Sequence, residues 1–223
     1  LFNFFLTHPM MQSLSKKHIG MVDLPALSSP GLKQQLAGHQ AVTTTLDDLK
    51  AMSPEQRQEH VLVVQDPFTS YYEATLVNDL VRLVAALGYK PVLRPFPPNG
   101  KAQHVKGFLT RFAKTAQKSA DVLNQVAQLG LPMVGTDPAL VLCYRDEYRE
   151  ILGDKRGDFQ VMLSHEWLDS VTAERAERAS EGESWYLFPH CTENTALPQA
   201  QARWASIFSR FGARLETVST GCC

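Results

Sequence analysis

The sequence contains few cysteines, almost no excess charge of either sign and no long apolar run, and each absence excludes a class of protein. Four cysteines in 223 residues are too few for a disulfide-stapled secreted scaffold. Lysine plus arginine number 22 and aspartate plus glutamate 23, so no overall charge would attract nucleic acid or anionic lipid. The most apolar run, residues 76–89, contains Asn78, Asp79 and Arg82 and falls short of the roughly 18 uninterrupted apolar residues of a membrane span. We expect a soluble chain with no transmembrane segment and no nucleic-acid partner.

The composition that remains is that of a globular chain. Hydrophobic residues make up 44% and charged residues 20%, and the 13 glycines and 13 prolines are spread along the sequence. At roughly 150 residues per domain, the chain is one large domain or two small ones with a real core. It begins at Leu1 without a signal-peptide pattern and ends on the pair Cys222–Cys223, directly after a strand-like segment. We expect a piece of a longer protein whose thiols are reduced in the cytoplasm or bind a metal.

The most regular pattern is a strand, a helix and a second strand. The run Val61–Val64 is continuously apolar and rich in β-branched residues, which is typical of a strand buried on both faces of a parallel sheet. Ser70 followed by Glu73 predicts a helix N-cap, and Gly88 predicts the end of that helix. Residues 91–93 predict the second strand. Together these elements form a βαβ unit.

The rest of the chain divides around this unit. Residues 1–59 are expected to form a helical or irregular lead-in, residues 60–153 a first α/β half and residues 154–223 a second half. After the second strand, apolar spacing predicts two separate helical stretches, around 105–112 and 122–129.

The two halves contain an internal repeat. The stretch from Val61 to Gly100 and the stretch from Trp185 to Cys223 have the same order of strand, polar loop, amphipathic helix, glycine, strand and loop, at an offset of about 124 residues. The sequence therefore predicts an α/β fold of two related Rossmann-like βαβ halves, with parallel sheets flanked by helices. The offset sets Asp66 opposite Cys191. Both loops follow carboxyl ends of parallel strands, where such sheets place their sites.

Thiols distinguish the second half from the first. Cys191 follows one predicted strand, and Cys222 and Cys223 follow the neighbouring one. Thiolates gathered at one point are ligands of soft metals and iron–sulfur clusters. The N-terminus of the helix after Cys191 would lower the pKa of its thiol. Three thiols are one short of a four-thiolate site, so a further ligand is expected beyond residue 223.

Four motifs of the second half occur together in one known family: residues 188–191 (FPHC), Trp204 with Ile207–Phe208, residues 211–213 (FGA) and residues 220–223 (TGCC). They resemble the cysteine-rich CCG domain of heterodisulfide-reductase-like iron–sulfur oxidoreductases. More closely, the stretch from His60 onward is similar to the C-terminal region of large FAD-linked, iron–sulfur-containing dehydrogenases of the D-2-hydroxyglutarate and D-lactate type.

The resemblance implies roles for particular residues. Cys191, Cys222 and Cys223 would be ligands of an iron–sulfur cluster, of the 4Fe–4S type and incomplete in this stretch, and His190 would hydrogen-bond to its sulfurs. FAD, the substrate site and a ferredoxin-like domain would lie upstream in the same chain. Electrons would leave to a quinone or a redox protein. The implied location is cytoplasmic, with any membrane association made through that acceptor.

The first half departs from the family pattern. Residues 137–140 read Asp-Pro-Ala-Leu where the repeat would have Cys-Pro-x-Cys, and residues 98–101 carry no thiol in place of the cysteine pair. We expect the first half to have lost its cluster.

Other interpretations remain open. The cysteine pair could form a redox-active disulfide, and His190 could be purely structural. The whole stretch could be a non-redox scaffold that docks catalytic domains, with no cluster bound. Cys143 lies among apolar residues of a predicted helix and is expected in the core. The three tryptophans, Trp167, Trp185 and Trp204, are expected in the core or at its rim.

Overall fold

The computed structural model describes residues 2–22, 25–38, 42–95, 98–179, 182 and 184–218. The strands are β1 Val42–Thr43, β2 His60–Val64, β3 Lys90–Leu93, β4 Met133–Gly135, β5 Met162–Leu163, β6 Ser184–Leu187 and β7 Arg214–Thr217. The helices are α1 Phe2–Thr7, α2 Pro9–Ile19, α3 Leu32–Gln35, α4 Leu46–Ala51, α5 Pro54–Gln58, α6 Pro67–Tyr72, α7 Ala74–Ala86, α8 Lys101–Val105, α9 Leu109–Gln128, α10 Pro138–Arg145, α11 Glu147–Leu152, α12 Ser164–Thr172, α13 Cys191–Ala196 and α14 Ala200–Arg210. Among the described residues, no helix is long and apolar enough to cross a membrane.

The predicted α/β fold with parallel sheets is confirmed. Five strands form one sheet in the order β1-β3-β2-β4-β5, and every neighbouring pair is parallel. The predicted strand at 61–64 is the central strand β2, where Leu62 stands opposite both Val92 and Met133. The lead-in supplies edge strand β1, and β5, which follows residue 153, forms the other edge.

Both faces of this sheet are covered by helices, which explains the continuous apolar run in β2. Successive strand residues point to opposite faces. Leu62 and Val64 pack in one cluster with residues of α9, α10 and α11, whereas Val61 and Val63 pack in a second cluster with residues of α7, α12 and α14. A strand buried on both sides cannot alternate apolar with polar residues.

The helix predicted to run from Ser70 to Gly88 is divided into two helices, so the predicted start is wrong: α6 ends at Tyr72 and α7 begins at Ala74. Asp66 caps α6 instead, because its Oδ1 accepts hydrogen bonds from the backbone N–H groups of Phe68 at 2.6 Å and Thr69 at 3.1 Å. Pro67 occupies the first helical position, where its missing N–H costs nothing. Ser70 lies inside α6 and donates to Gln65 at 3.0 Å. The predicted end is confirmed, since Gly88 follows α7 with a φ of 91°.

The two helical stretches predicted around 105–112 and 122–129 are largely one helix. The 20-residue α9 runs without a break, and the short α8 precedes it. The linking segment is rich in alanine, lysine and glutamine, which are strong helix formers. Ala116 and Ala120 are fully buried there, so small side chains continue the apolar face that large ones begin.

The second half holds a smaller parallel sheet. Strands β6 and β7 pair with Ser184 opposite Arg214, and α13 and α14 lie between them along the chain. A single offset relates His60 to Ser184, Lys90 to Arg214 and Pro67 to Cys191. The predicted repeat is therefore present as structure, but Pro67 corresponds to Cys191, one residue from the predicted correspondence with Asp66.

An ion pair on α12 gives a pH-dependent contribution to stability. Glu166 accepts hydrogen bonds from Arg145 of α10, at 2.9 Å from Nη1, and from the Leu163 N–H at 2.9 Å. Burial alone would raise the pKa of Glu166, but these hydrogen bonds outweigh it and hold the pKa below its ordinary value. A carboxyl whose pKa is lowered in the folded state contributes stability that is fully present above its unfolded-state pKa. This contribution is lost as the pH falls through the folded-state pKa.

We expect Glu166→Gln to lower the free energy of unfolding by about 1–3 kcal/mol at neutral pH, because hydrogen bonds to a charged group are lost. The difference from wild type should shrink as the pH falls below about 4. Urea unfolding followed by circular dichroism between pH 7 and pH 3 measures it, with the exposed Glu150→Gln as the matched control. A difference that stays constant over this range would contradict the assignment.

Candidate functional site

The described thiol of the predicted ligand set lies just past the end of β6. Cys191 is the first residue of α13, and His190 precedes it as the N-cap residue. The Cys191 side chain is partly exposed and its Sγ lies 3.9 Å from Thr192 Oγ1, whereas His190 is exposed. The predicted helix after Cys191 is present but spans only six residues, so it offers a short dipole.

The loops after β6 and β7 leave the sheet at the same end, where the carboxyl ends of both strands lie. Leu187 stands opposite Thr217 in the parallel register, and the Val218 N–H donates to the Leu187 carbonyl at 2.9 Å. Cys222 and Cys223, five and six residues after Thr217, lie outside the described residues. Within the part of the chain that the structure describes, no three histidine, cysteine, aspartate or glutamate side chains lie close enough to hold a metal ion. Of the predicted ligand thiols, the described residues thus include Cys191. It follows β6, whose carboxyl end lies beside the start of the loop that leads to the cysteine pair.

In the first half, oxygen groups occupy the corresponding strand end. The Thr69 hydroxyl donates to Asp66 at 3.0 Å and lies 3.2 Å from the Thr136 hydroxyl, and all three residues are buried. Asp137 caps α10 as Asp66 caps α6. These side chains are hard donors already engaged in capping, so they do not fit a thiolate-ligated cluster.

Electrostatics link the two halves at this edge. Burial raises the pKa of the Asp137 carboxyl, and the neighbouring Asp66 carboxylate raises it further. The His190 imidazole acts in the opposite direction on the same carboxyl. The Thr69–Thr136 contact places the loops after β2 and β4 side by side, and Pro138 and His190 line one cavity, so the loop after β6 lies beside them.

Sequence reasoning missed one buried pair beside Cys191. His165, at the second position of α12, and Glu193, at the third position of α13, are both buried, and His165 Nδ1 lies 2.8 Å from Glu193 Oε1. The pair lines a cavity of about 220 Å³ that also contacts His190 and Trp204. The two residues are far apart in sequence and in different predicted halves, so no local spacing could have connected them.

The fourth thiol is a core residue, as predicted. Cys143 lies fully buried on α10, and burial raises the pKa of its thiol to about 12, with the nearby Glu147 carboxylate acting in the same direction. A thiol with so high a pKa stays protonated at neutral pH and is unreactive.

An apolar groove lies between α7 of the first half and α14 of the second. Its cavity of about 480 Å³ is lined mainly by side chains of these helices, including Leu83 and Trp204, and by Trp185 of β6 and Phe211, which follows α14. Trp185 is 55% exposed and Phe211 44% exposed. Exposed aromatic groups of this kind are typical of surfaces that contact another protein segment.

Comparison with known proteins finds close relatives for the whole chain. It is 65% identical over 223 residues to a D-2-hydroxyglutarate dehydrogenase of Pantoea ananatis and 62% identical over 222 residues to one of Escherichia coli. A D-2-hydroxyglutarate dehydrogenase of Pseudomonas putida is 38% identical over 223 residues. In each comparison all of this chain is matched, yet the chain spans only 22% of the relative's length. No protein-family model matches the chain. No solved structure matches it.

Proposed function

We propose that this chain is an electron-transfer domain of a larger FAD-dependent D-2-hydroxyglutarate dehydrogenase. In this proposal an iron–sulfur cluster carries electrons from the reduced flavin, which lies in other domains of the same polypeptide, to a quinone or a protein acceptor. The 38–65% identity to enzymes of that name over the whole chain supports the choice of parent enzyme. The small share of their length that the chain spans agrees with a single domain of a larger protein.

The ligands in this proposal are Cys191, Cys222 and Cys223, with His190 hydrogen-bonded to the cluster sulfurs. When bound, such a cluster accepts and releases one electron at a time. Cys191 would supply its thiolate from the start of α13, and its partial burial would limit contact with water. We further propose that residues 60–153 and 154–223 are two copies of one ancestral unit behind a lead-in of 59 residues, and that only the second copy keeps thiol ligands.

The observation that carries the proposal is the parallel pairing of β6 with β7. Because Leu187 and Thr217 stand side by side, the loop with Cys191 and the loop that leads to the cysteine pair begin at neighbouring points. Residues at the carboxyl ends of adjacent parallel strands commonly build one site. A fourth ligand would come from a segment beyond residue 223.

Anaerobic analysis of iron and acid-labile sulfide in the complete chain tests the proposal. We expect iron and sulfide in the wild type and the loss of one cluster's share of both in Cys191→Ser, because serine oxygen is a poor ligand for these soft sites. Cys143→Ala is the matched control, since this thiol is buried in the other half and should leave the iron content unchanged. Equal iron in wild type and Cys191→Ser would rule out Cys191 as a ligand.

The exposed apolar surface favours a second candidate function, a scaffold that docks other domains without a cluster. Exposed apolar side chains occur on α1, α2 and β6, including Phe4, Met10, Ile19, Trp185 and Tyr186. In this case the complete chain would contain no iron attributable to Cys191, even after anaerobic reconstitution, and the same measurement separates the two functions.

A further inference from the structure

Helix α13 is held in place by a carboxylate and hardly at all by apolar packing. Within α13, all six residues of which the structure describes, Glu193 is the buried residue. Thr192, Asn194, Thr195 and Ala196 are exposed. A helix normally attaches to its protein through an apolar face, and α13 has none. Apart from the hydrogen bond that Gln201 of α14 donates to Asn194 at 2.5 Å, the position of Cys191 at the start of this helix therefore depends on what holds Glu193.

The group that contacts Glu193 is His165, which belongs to the main body of the fold. His165 is the second residue after β5, and only 1% of its side chain is exposed. Its Nδ1 lies 2.8 Å from Glu193 Oε1, a close polar contact without hydrogen-bond geometry, since Oε1 has no hydrogen-bond partner among the described residues. Burying either group alone is unfavourable, whereas burying them in contact is tolerated. The pair thus ties α13 to the five-stranded sheet at a defined point.

Apart from the Nδ1 contact, the described surroundings of the His165 ring do not require a histidine. The ring lies 5.6 Å from the Trp204 ring, and His165 Nε2 has no hydrogen-bond partner among the described residues. An aromatic ring without nitrogens could fill the same space beside Trp204. What histidine adds at this position is the Nδ1 contact to Glu193.

We propose that His165 is a positioning residue for the ligand thiol, and that it acts through Glu193 to fix the first turn of α13 and hence Cys191. The ligand role of Cys191 rests on the proposed function, but the positioning of its thiol does not. Without the contact, α13 would leave the body of the protein more often and Cys191 would become more exposed. The pair therefore presets one ligand before any metal arrives.

Thiol alkylation in the complete chain, after removal of iron by a chelator under reducing conditions, tests this inference. The rate at Cys191 is read by peptide mass spectrometry with iodoacetamide as the probe. His165→Phe keeps the ring and removes Nδ1, and we expect alkylation about tenfold faster, the size set by leaving the Glu193 carboxylate buried without a polar partner. Glu193→Ala should give the same increase. The double variant should be no faster than either single variant, because the two residues act as a pair.

Two controls separate positioning from general loss of structure. Cys143 is fully buried in the first half, and its continued protection in each variant reports an intact fold. Glu193→Gln keeps a polar side chain of nearly the same size against Nδ1 and should retain most of the protection, because no charge is left buried without a partner. Unchanged Cys191 alkylation in His165→Phe would overturn the inference, as would additive rates in the double variant.

A further readout uses the iron-loaded chain. We expect His165→Phe to release iron to a chelator faster than wild type while binding the same initial amount. If the wild-type chain binds no iron, the proposed function fails, and the alkylation rates still decide whether His165 positions Cys191.

Discussion

Under the proposed function, Cys222→Ser in the complete chain is expected to leave the reduction of flavin by D-2-hydroxyglutarate unchanged and to slow electron exit to the acceptor by roughly a hundredfold or more. The reason is that this proposal places substrate and flavin in other domains and assigns to Cys222 the group that takes electrons away. Replacing the groups that surround a metal's ligands already costs 10–100-fold, and losing a ligand costs at least as much.

Stopped-flow absorbance separates the two steps. Anaerobic mixing with substrate reports flavin bleaching in a single turnover, and steady-state turnover with an external acceptor reports the exit of electrons. Cys143→Ala provides the matched control, because its thiol lies in the core of the first half and both rates should stay near wild type. If Cys222→Ser slowed bleaching and turnover equally, the residue would not serve electron exit alone and the proposed role would be wrong.

Trp167→Ala is expected to lower the free energy of unfolding by about 3–5 kcal/mol, the range for deleting a large buried aromatic side chain. Trp167 is 1% exposed and belongs to the cluster that contains Val63 of β2 and Ile207 of α14. Its ring meets Tyr89 edge to face at a centroid distance of 5.5 Å. Since this side chain packs between the five-stranded sheet and α14, its loss should also loosen the attachment of the second half.

Trp185→Ala supplies the control for this prediction. Trp185 is 55% exposed on β6, so its replacement should change stability by about 0.5 kcal/mol or less. Urea unfolding followed by circular dichroism measures both variants without relying on tryptophan fluorescence. Comparable losses in the two variants would contradict the placement of Trp167 in the core of this cluster.

The parts of the fold that could be predicted from the sequence are those with a local signal. The β-branched run at Val61–Val64 fixes a buried strand by its own composition, and the pairing of β6 with β7 follows from the repeat. The cap at Asp66 was missed because two capping patterns, Asp66–Pro67 and Ser70 with Glu73, compete within one short stretch. In the structure Asp66 accepts hydrogen bonds from the free N–H groups of Phe68 and Thr69, so the N-cap is at Asp66.

The parts that could not be predicted depend on long-range contacts. Nothing near His165 or Glu193 in the sequence indicates that one contacts the other, because only the tertiary fold brings α12 and α13 together. The unequal burial of the three tryptophans also depends on long-range contacts. Trp167 packs between two layers of the fold, whereas Trp185 lies on a strand whose side chains are mostly exposed. The composition shows which side chains are apolar, but only the tertiary structure determines which of them are buried.

The small β6–β7 sheet has a consequence for the order in which the chain folds. Two strands are too few to be stable on their own, and three of the four residues of β6 are exposed. All strands of the five-stranded sheet lie before residue 164, and one of its faces is covered by α9, α10 and α11, whereas the other face is completed by α12 and α14. During synthesis we therefore expect the first sheet and its α9–α11 face to form while the second half is still emerging from the ribosome, and the other face to be covered only when α14 packs against it. A mutation that slows the first sheet would delay both.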